Sequence, residues 1–339
     1  MAGMDNAADI KSLVGRPVTV IRANGEGGLT VDHRAIRSIL LQQDVRDLPV
    51  VVVSVAGAFR TGKSSILNVL LRFPFLQYRD WLGPADMPLE GFAWKSGKRA
   101  LTKGIVFWSH LFRATTVELE QVAVLLVDTQ GAFDTNSSMT ESVHIFALSI
   151  LLSSIQVFNV MRNLQLDHLQ HLQMFCEYGK LAQELKGGCS NLQHCVFLVR
   201  DWEWPDDNEF GWTGGEQVLR ETLSVEPALQ LAAALRALRT YFKTCIASRK
   251  CFLMPSPGHT DKGCRLNGPV RFSFLDRYPP SFNEHLRDFV HGVLSPGELV
   301  IKTVAGVRLS ASLFCKFVEV MTPMFSSDKL PEPVSMEVS

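Results

Sequence analysis

Val50-Val51-Val52-Val53-Ser54-Val55-Ala56 runs straight into Gly57-Ala58-Phe59-Arg60-Thr61-Gly62-Lys63-Ser64, and Ser65 to Leu71 follows with apolar residues at helical spacing. The first run is what a strand buried on both faces requires. The second is a complete G-x-x-x-x-G-K-[ST] turn. Its glycines let backbone N–H groups curl inward around phosphate oxygens, and the start of the following helix adds a partial positive charge. Lys63 reaches the β- and γ-phosphates, and Ser64 offers a hydroxyl to Mg²⁺. The strand before it and the helix after it separate this motif from a chance glycine turn.

A site of this kind needs a carboxylate at the end of another buried strand to hold the Mg²⁺ shell. Val122 to Val127 ends in Asp128-Thr129-Gln130-Gly131, which supplies Asp128 and, in Gly131, the close backbone approach that a γ-phosphate demands. Alone, D-x-x-G is more often an ordinary turn; its place on a strand after the phosphate loop gives it weight. Between the two motifs lies Leu101-Thr102-Lys103-Gly104-Ile105. Thr102 is the candidate for a hydroxyl that binds Mg²⁺ only when the γ-phosphate is present, the plain alternative being a solvent-facing loop threonine. The strand candidate Cys195 to Val199 lacks an N/T-K-x-D guanine motif at its end and carries Arg200-Asp201 instead. A carboxylate there can accept the N1 and N2 hydrogens of guanine, a pair of donors that adenine lacks. As a bare dipeptide, Arg-Asp is usually a surface ion pair.

Outward from these motifs, Pro17 to Ile21 reads as a strand, Asn24 to Gly28 as a turn and Cys251 to Met254 as a last short strand. Helical spacing marks Ala35 to Leu41, Ser142 to Leu152, Asp167 to Leu185 and Ala228 to Phe242. Strands alternating with helices predict an α/β fold, a mostly parallel sheet with helices on both faces, whose ligands sit at the carboxyl ends of the strands. Residues 1–15 read as a flexible leader, 16–325 as one large nucleotide-hydrolysing domain and 326–339, rich in Pro, Ser and charge, as a linker towards something absent from the sequence.

The 339 residues carry 34 basic and 34 acidic side chains, so bulk charge argues for neither a nucleic-acid nor an anionic-lipid partner, and an anionic ligand must be held by a local site. Seven cysteines without a C-x-x-C pair argue against a zinc finger or a secreted disulfide framework and for a reducing compartment, with the thiols as buried apolar groups. No run approaches a membrane span and no signal peptide is evident, so the chain as given is expected to be soluble. His168 and His171 stand at i, i+3 beside Asp167, but without a further ligand a polar helix face is the better reading than a metal site. Trp202 and Trp204 read as loop anchors rather than a base-stacking pair.

The stretches VVVSVAGAFRTGKSS (51–65), GFAWKSGKRALTKGIVFW (91–108), VAVLLVDTQGAFD (122–134), SSIQVFNV (153–160), DHLQHLQMFCEYGKLA (167–182) and FLVRDWEWP (197–205) resemble, in order and spacing, the atlastins. These are dynamin-like large GTPases related to the guanylate-binding proteins. The likeness extends from about Pro17 through LPEPVSM (330–336); departures at Thr61, Ser65 and the Leu101–Lys103 loop leave the neurolastin branch as an alternative. The resemblance implies that Arg60 is an arginine finger acting in cis when two G domains pair, and that Thr61 to Ser65 contact phosphate and Mg²⁺. It makes Thr102 the switch I threonine, Asp128, Gln130 and Gly131 the switch II elements, Arg200 and Asp201 the guanine motif, and Asp261, in MPSPGHTD (254–261), part of a base-capping loop. It further implies a GTP-dependent homodimer, and membrane tethering or fusion at the cytosolic face of the endoplasmic reticulum or of endosomes, through a helical bundle and an anchor that this sequence lacks.

The expected activity is Mg²⁺-dependent hydrolysis of GTP, with Arg60, Lys63 and Thr102 as catalytic groups. Ser64, Thr102 and Asp128 are the expected metal ligands, and Gly57, Arg60, Thr61, Gly62, Lys63, Ser64, Ser65, Gln130, Gly131, Arg200, Asp201 and Asp261 the nucleotide contacts. Two rivals remain: an ATPase on the same loop, against which Arg200-Asp201 argues, and a GTP-binding scaffold with little turnover.

Overall fold

The computed structural model describes residues 15–25, 28–58, 61–75, 91–92, 102–131, 138–184, 192–224, 233–258 and 279–325. The valine run forms β3 (Val50–Gly57), every residue of which is buried. On one side it pairs in parallel with β6 (Gln121–Thr129), and on the other with β7 (Ile155–Met161), followed by β8 (Leu192–Arg200) and β9 (Ile246–Leu253), all parallel. The other edge is antiparallel: β4 (Ile105–Trp108) and β5 (Phe112–Thr115) both pair with β6, and β1 (Pro17–Ala23) joins β4 to β2 (Leu29–Val31). The result is one nine-stranded sheet.

Side chains alternate across a strand, so a strand buried on both faces must be apolar at every position. In β3, Val51, Val53 and Val55 pack with Ile66, Leu67 and Leu70 of α2 (Lys63–Phe75) and with Phe289 and Val293 of α7 (Pro280–Leu294). Val50, Val52 and Ala56 face the opposite core, built on α3 (Met139–Leu152) and α4 (Leu166–Glu184). Each buried valine is worth about 1.5–3 kcal/mol relative to exposure. Ser54 interrupts the run on the α3 side, where its Oγ lies 2.9 Å from Ser149 Oγ and 3.2 Å from Thr129 Oγ1, those two being 2.7 Å apart. The closed triangle of hydroxyls satisfies a polar group at the centre of the sheet.

Four more helices among the described residues complete the layers. In α1 (His33–Leu40), Asp32 accepts from the Ala35 N–H as N-cap, and Arg37 and His33 meet Glu319 on α8 (Ala311–Met321). α5 (Trp212–Leu223) lies against β9, and α6 (Ala233–Cys245) leads directly into that strand. β2, β4, β5, β7, α5, α7 and α8 were not visible in the periodicity; in β7, Gln156 and Asn159 interrupt the apolar run. The short strands hold four residues or fewer, too few for an alternation to stand out. α5 opens with Trp-Thr-Gly-Gly and α7 with Pro-Ser-Phe-Asn, neither of which carries an acidic first turn. β9 begins five residues before the expected Cys251, and α6 runs on to Cys245 rather than ending at Phe242.

Lys302 sits at the amino end of the sheet. Its backbone N–H donates to Val50 O and its buried Nζ donates to Ser153 O at 2.9 Å, at the carboxyl end of α3. Burial pushes the amine down to about 7. Below that pH both folded and unfolded chains hold the proton, and the folded state carries the full cost of a buried charge. Above it the folded chain has released a proton that the unfolded chain keeps until near its ordinary value, so stability rises with pH. Lys302→Met is therefore expected to stabilise the protein by about 1–3 kcal/mol at pH 6 and by clearly less at pH 9; an equal gain in thermal unfolding at both pH values would contradict this.

Candidate functional site

The chain leaves β3 towards β6 on one side and leaves β7 towards β8 on the other, which opens a crevice at the carboxyl ends of β3 and β7. The phosphate-loop motif occupies that crevice. At Gly57 a Cβ would lie 2.1 Å from Asn159 O, and at Gly62 (φ +78°) one would lie 2.3 Å from Arg200 Nη1. Only glycine permits the loop to leave β3 beside β7 and to turn back under Arg200. Thr61 Oγ1 donates to Ala58 O at 2.9 Å.

Lys63, the first residue of α2, is buried, and its Nζ donates to Ala58 O at 2.9 Å across the loop. Burial pulls its amine down to about 8, with the charge of Asp128 acting in the opposite direction. Asp128, near the end of β6, is also buried and accepts two hydroxyl bonds on one oxygen: Ser64 Oγ to Oδ2 at 2.8 Å and Thr102 Oγ1 to Oδ2 at 2.8 Å. Burial raises the Asp128 pKa, and the hydroxyl bonds and Lys63 oppose that rise. Its Oδ1 is buried without a hydrogen-bond partner. Two hydroxyl oxygens and a carboxylate with a spare oxygen are the hard donor set that suits Mg²⁺, and this ion typically keeps several waters besides one or two such ligands.

The Thr102 loop is held in place by its neighbours. Gly104 N donates to Gln130 Oε1 at 2.8 Å, and Gln130 N donates to Gly104 O at 2.8 Å. Gln130 thus ties the two switch-like segments together through its side chain. Gly131 follows, buried, and Ser65 is half-buried on α2.

At the end of β8, Arg200 Nη1 donates to Thr61 O at 3.1 Å and Gly62 O at 3.3 Å, so its guanidinium braces the phosphate loop from behind. Asn159, at the end of β7, does the same through Nδ2 to Thr61 O at 2.9 Å. Its signal in the sequence was a polar residue within an otherwise largely apolar stretch, ahead of Val160 and Met161. Asp201 adopts a left-handed backbone (φ 53°), uncommon for a residue with a side chain. Its Oδ1 is buried without a hydrogen-bond partner. Trp202 is buried, donates its N–H to Met254 O and its Nε1 to Asn208 O, and meets Trp204 edge-on, which anchors the turn that carries Asp201.

Gly57, Thr61, Gly62, Lys63, Ser64, Thr102, Asp128, Gln130, Arg200 and Asp201 thus converge on one end of the sheet, whereas Arg60 and Asp261 lie outside the described residues. His168 Nδ1 accepts from Gln165 N at 3.2 Å, and among the described residues no group of three or more His, Cys, Asp or Glu is placed to hold a metal. Burial pushes the thiols of Cys176 and Cys251 up to about 12, away from reactivity.

Residues 26–303 match the family described as "Guanylate-binding protein, N-terminal domain". The chain is 38% identical over 333 residues to "Atlastin" of Drosophila melanogaster, an alignment that takes in 96% of this chain and 60% of that protein. It is 37% identical over 322 residues to "Atlastin-2" of Xenopus laevis, with 95% and 55% covered. The chain therefore spans less than two thirds of the length of these curated relatives. Among solved structures, a bacterial selenocysteine-specific elongation factor, EF-Sec, is 10% identical over 59% of this chain and 25% of that one, with a TM-score of 0.25, too low to bear on the fold. The family match and the atlastin identities coincide with a glycine-rich loop, a threonine hydroxyl and a buried carboxylate assembled at one end of the sheet, and the chain belongs to the guanylate-binding-protein family, matching its N-terminal domain.

Proposed function

We propose that residues 16–325 bind GTP with Mg²⁺ and hydrolyse it to GDP and phosphate, and that two such domains pair when GTP is bound. The observation that carries this is the convergence of Ser64 and Thr102 on the buried Asp128 carboxylate, beside Lys63. In a working site Ser64, Thr102 and Asp128 hold the metal, which supplies neutralisation of charge on the β- and γ-phosphates. Lys63 exchanges its bond with Ala58 O for one with a phosphate oxygen, a step favoured because a buried amine stays charged more readily beside an anion. The backbone of Gly57 to Ser64 receives the remaining phosphate oxygens, and the partnerless Asp201 Oδ1 supports guanine, whose N1–H and N2–H would satisfy the carboxylate.

On this reading Arg60 is the arginine finger, Asp261 caps the base, and residues 1–15 and 326–339 lie outside the catalytic domain. The pairing, and its use in membrane tethering or fusion, rest on the atlastin resemblance. So does the location, the cytosolic face of the endoplasmic reticulum; the relatives found lend the endosomal alternative no support. Among the described residues no helix is long and apolar enough to cross a membrane.

Phosphate release from GTP and from ATP with Mg²⁺, at several protein concentrations, tests the proposal. Turnover of GTP alone, with a rate per molecule that rises with concentration, is the expected result. Equal use of ATP would overturn the role of Asp201, and GTP binding without turnover at any concentration would leave a scaffold. Thr102→Ala is expected to raise the Mg²⁺ concentration for half-maximal turnover by about 10-fold or more; an unchanged Mg²⁺ titration would remove Thr102 from the metal shell.

A further inference from the structure

One residue of β7 holds the phosphate loop at two points, although it belongs neither to the loop motif nor to the base-reading pair. Asn159 pairs with Gly57 in the parallel register of β3 and β7, so closely that a Cβ on Gly57 would lie 2.1 Å from Asn159 O. Its Nδ2 donates to Thr61 O at 2.9 Å. The first and fifth residues of the loop are thus tied to a single position of the neighbouring strand. The same Thr61 O also accepts from Arg200 Nη1 at 3.1 Å.

Folding alone gives little reason for an amide at this position. Asn159 is fully buried in the strand between Phe158 and Val160, and its Oδ1 has no hydrogen-bond partner. Leaving a buried acceptor unmet costs at least as much as one hydrogen bond returns. Thr61 O would keep its bond from Arg200 without Asn159. What the Nδ2 bond does is fix a peptide plane. In a trans peptide the carbonyl and the following N–H point in opposite directions, so a Thr61 O held towards β7 and β8 turns the Gly62 N–H away from those strands. Backbone N–H groups of such a loop are its phosphate donors, and a donor already oriented binds without the cost of being turned.

We propose, on the reading of Gly57 to Ser64 as a nucleotide site, that Asn159 is a positioning residue for the nucleotide phosphates. It sets the Thr61–Gly62 peptide so that the Gly62 N–H meets a phosphate oxygen, and it touches no atom of the nucleotide itself. Arg200 holds the same carbonyl and that of Gly62 from β8, whereas Asn159 holds it from the strand that pairs with Gly57. With both donors in place the peptide is fixed from two strands.

GDP affinity with Mg²⁺ and the phosphorus NMR spectrum of bound GDP, measured for the unaltered protein, Asn159→Ala and Gln156→Ala, test this. Gln156 is a second buried amide on β7, but its Nε2 donates to Ser54 O and Val157 O and its Oε1 accepts from Ser153 Oγ, away from the loop. Asn159→Ala is expected to weaken GDP binding by about 10- to 100-fold and to shift the phosphorus resonances. Gln156→Ala should leave both as they are, whatever stability it loses. Unchanged affinity in folded Asn159→Ala, weakened affinity with unmoved resonances, or an equal loss in Gln156→Ala would overturn the proposal. Should Asn159→Ala fail to fold, Asn159→Val, whose side chain suits a buried strand, decides by the same two measurements. An unaltered protein that binds no GDP would refute the functional proposal; GDP binding that the loss of the Asn159 amide leaves undisturbed refutes only the role of Asn159.

Discussion

Arg60→Ala is expected to lower GTP turnover by about 10³- to 10⁵-fold, the range an arginine finger supplies, while GDP and GTP affinities change by less than about tenfold. Ala132 follows Gly131, where small GTPases place the glutamine that orients water. Arg200 is committed to the carbonyls of Thr61 and Gly62, so it braces the loop and is not free to swing onto phosphate. Lys63 serves the phosphates in the ground state as well as in the transition state, and groups that bind both equally do not raise the rate of the chemical step. Arg60 is the remaining cation of the motif. Single-turnover phosphate release together with fluorescent-nucleotide binding separates the two effects. Unimpaired turnover in the variant would discard the finger, and a loss confined to affinity would make Arg60 a binding residue instead.

Asp201→Asn should weaken GTP binding by about 10²- to 10⁴-fold, since two hydrogen bonds to a charged acceptor are each worth about 1.5–3 kcal/mol. The same change should create a preference for xanthosine triphosphate. Xanthine carries a carbonyl where guanine has its amino group, and the amide N–H of asparagine can donate to it. Rescue of turnover by the xanthine nucleotide distinguishes a base contact from a folding role; Asp201 has a left-handed backbone, which asparagine tolerates well. Loss of GTP binding without rescue would mean that Asp201 acts through the shape of its turn.

The two motifs that carry chemistry were legible because each is contiguous. The phosphate loop needs its glycines, lysine and serine within eight positions, as at Gly57 to Ser64. A strand buried on both faces writes itself as an unbroken apolar run, which is why β3 and β6 were found with nearly their observed limits. The parallel half of the sheet followed from strand–helix alternation except for β7, whose apolar run is interrupted by Gln156 and Asn159. The antiparallel edge did not, because β4 and β5 are four-residue strands whose existence depends on pairing with β6.

Sequence alone thus determined the candidate groups of the site: a complete G-x-x-x-x-G-K-S loop, a carboxylate at Asp128 closing a buried strand and a second carboxylate at Asp201 after another. Tertiary structure decided how these residues are held. Ser64 and Thr102 meet the same oxygen of Asp128 from 64 and 26 residues away. Asn159 and Arg200 both support Thr61 from across the sheet, 98 and 139 residues further along the chain. No period or motif encodes such partnerships, because they come into being only when parallel strands far apart in sequence are brought into register and their carboxyl ends share one crevice.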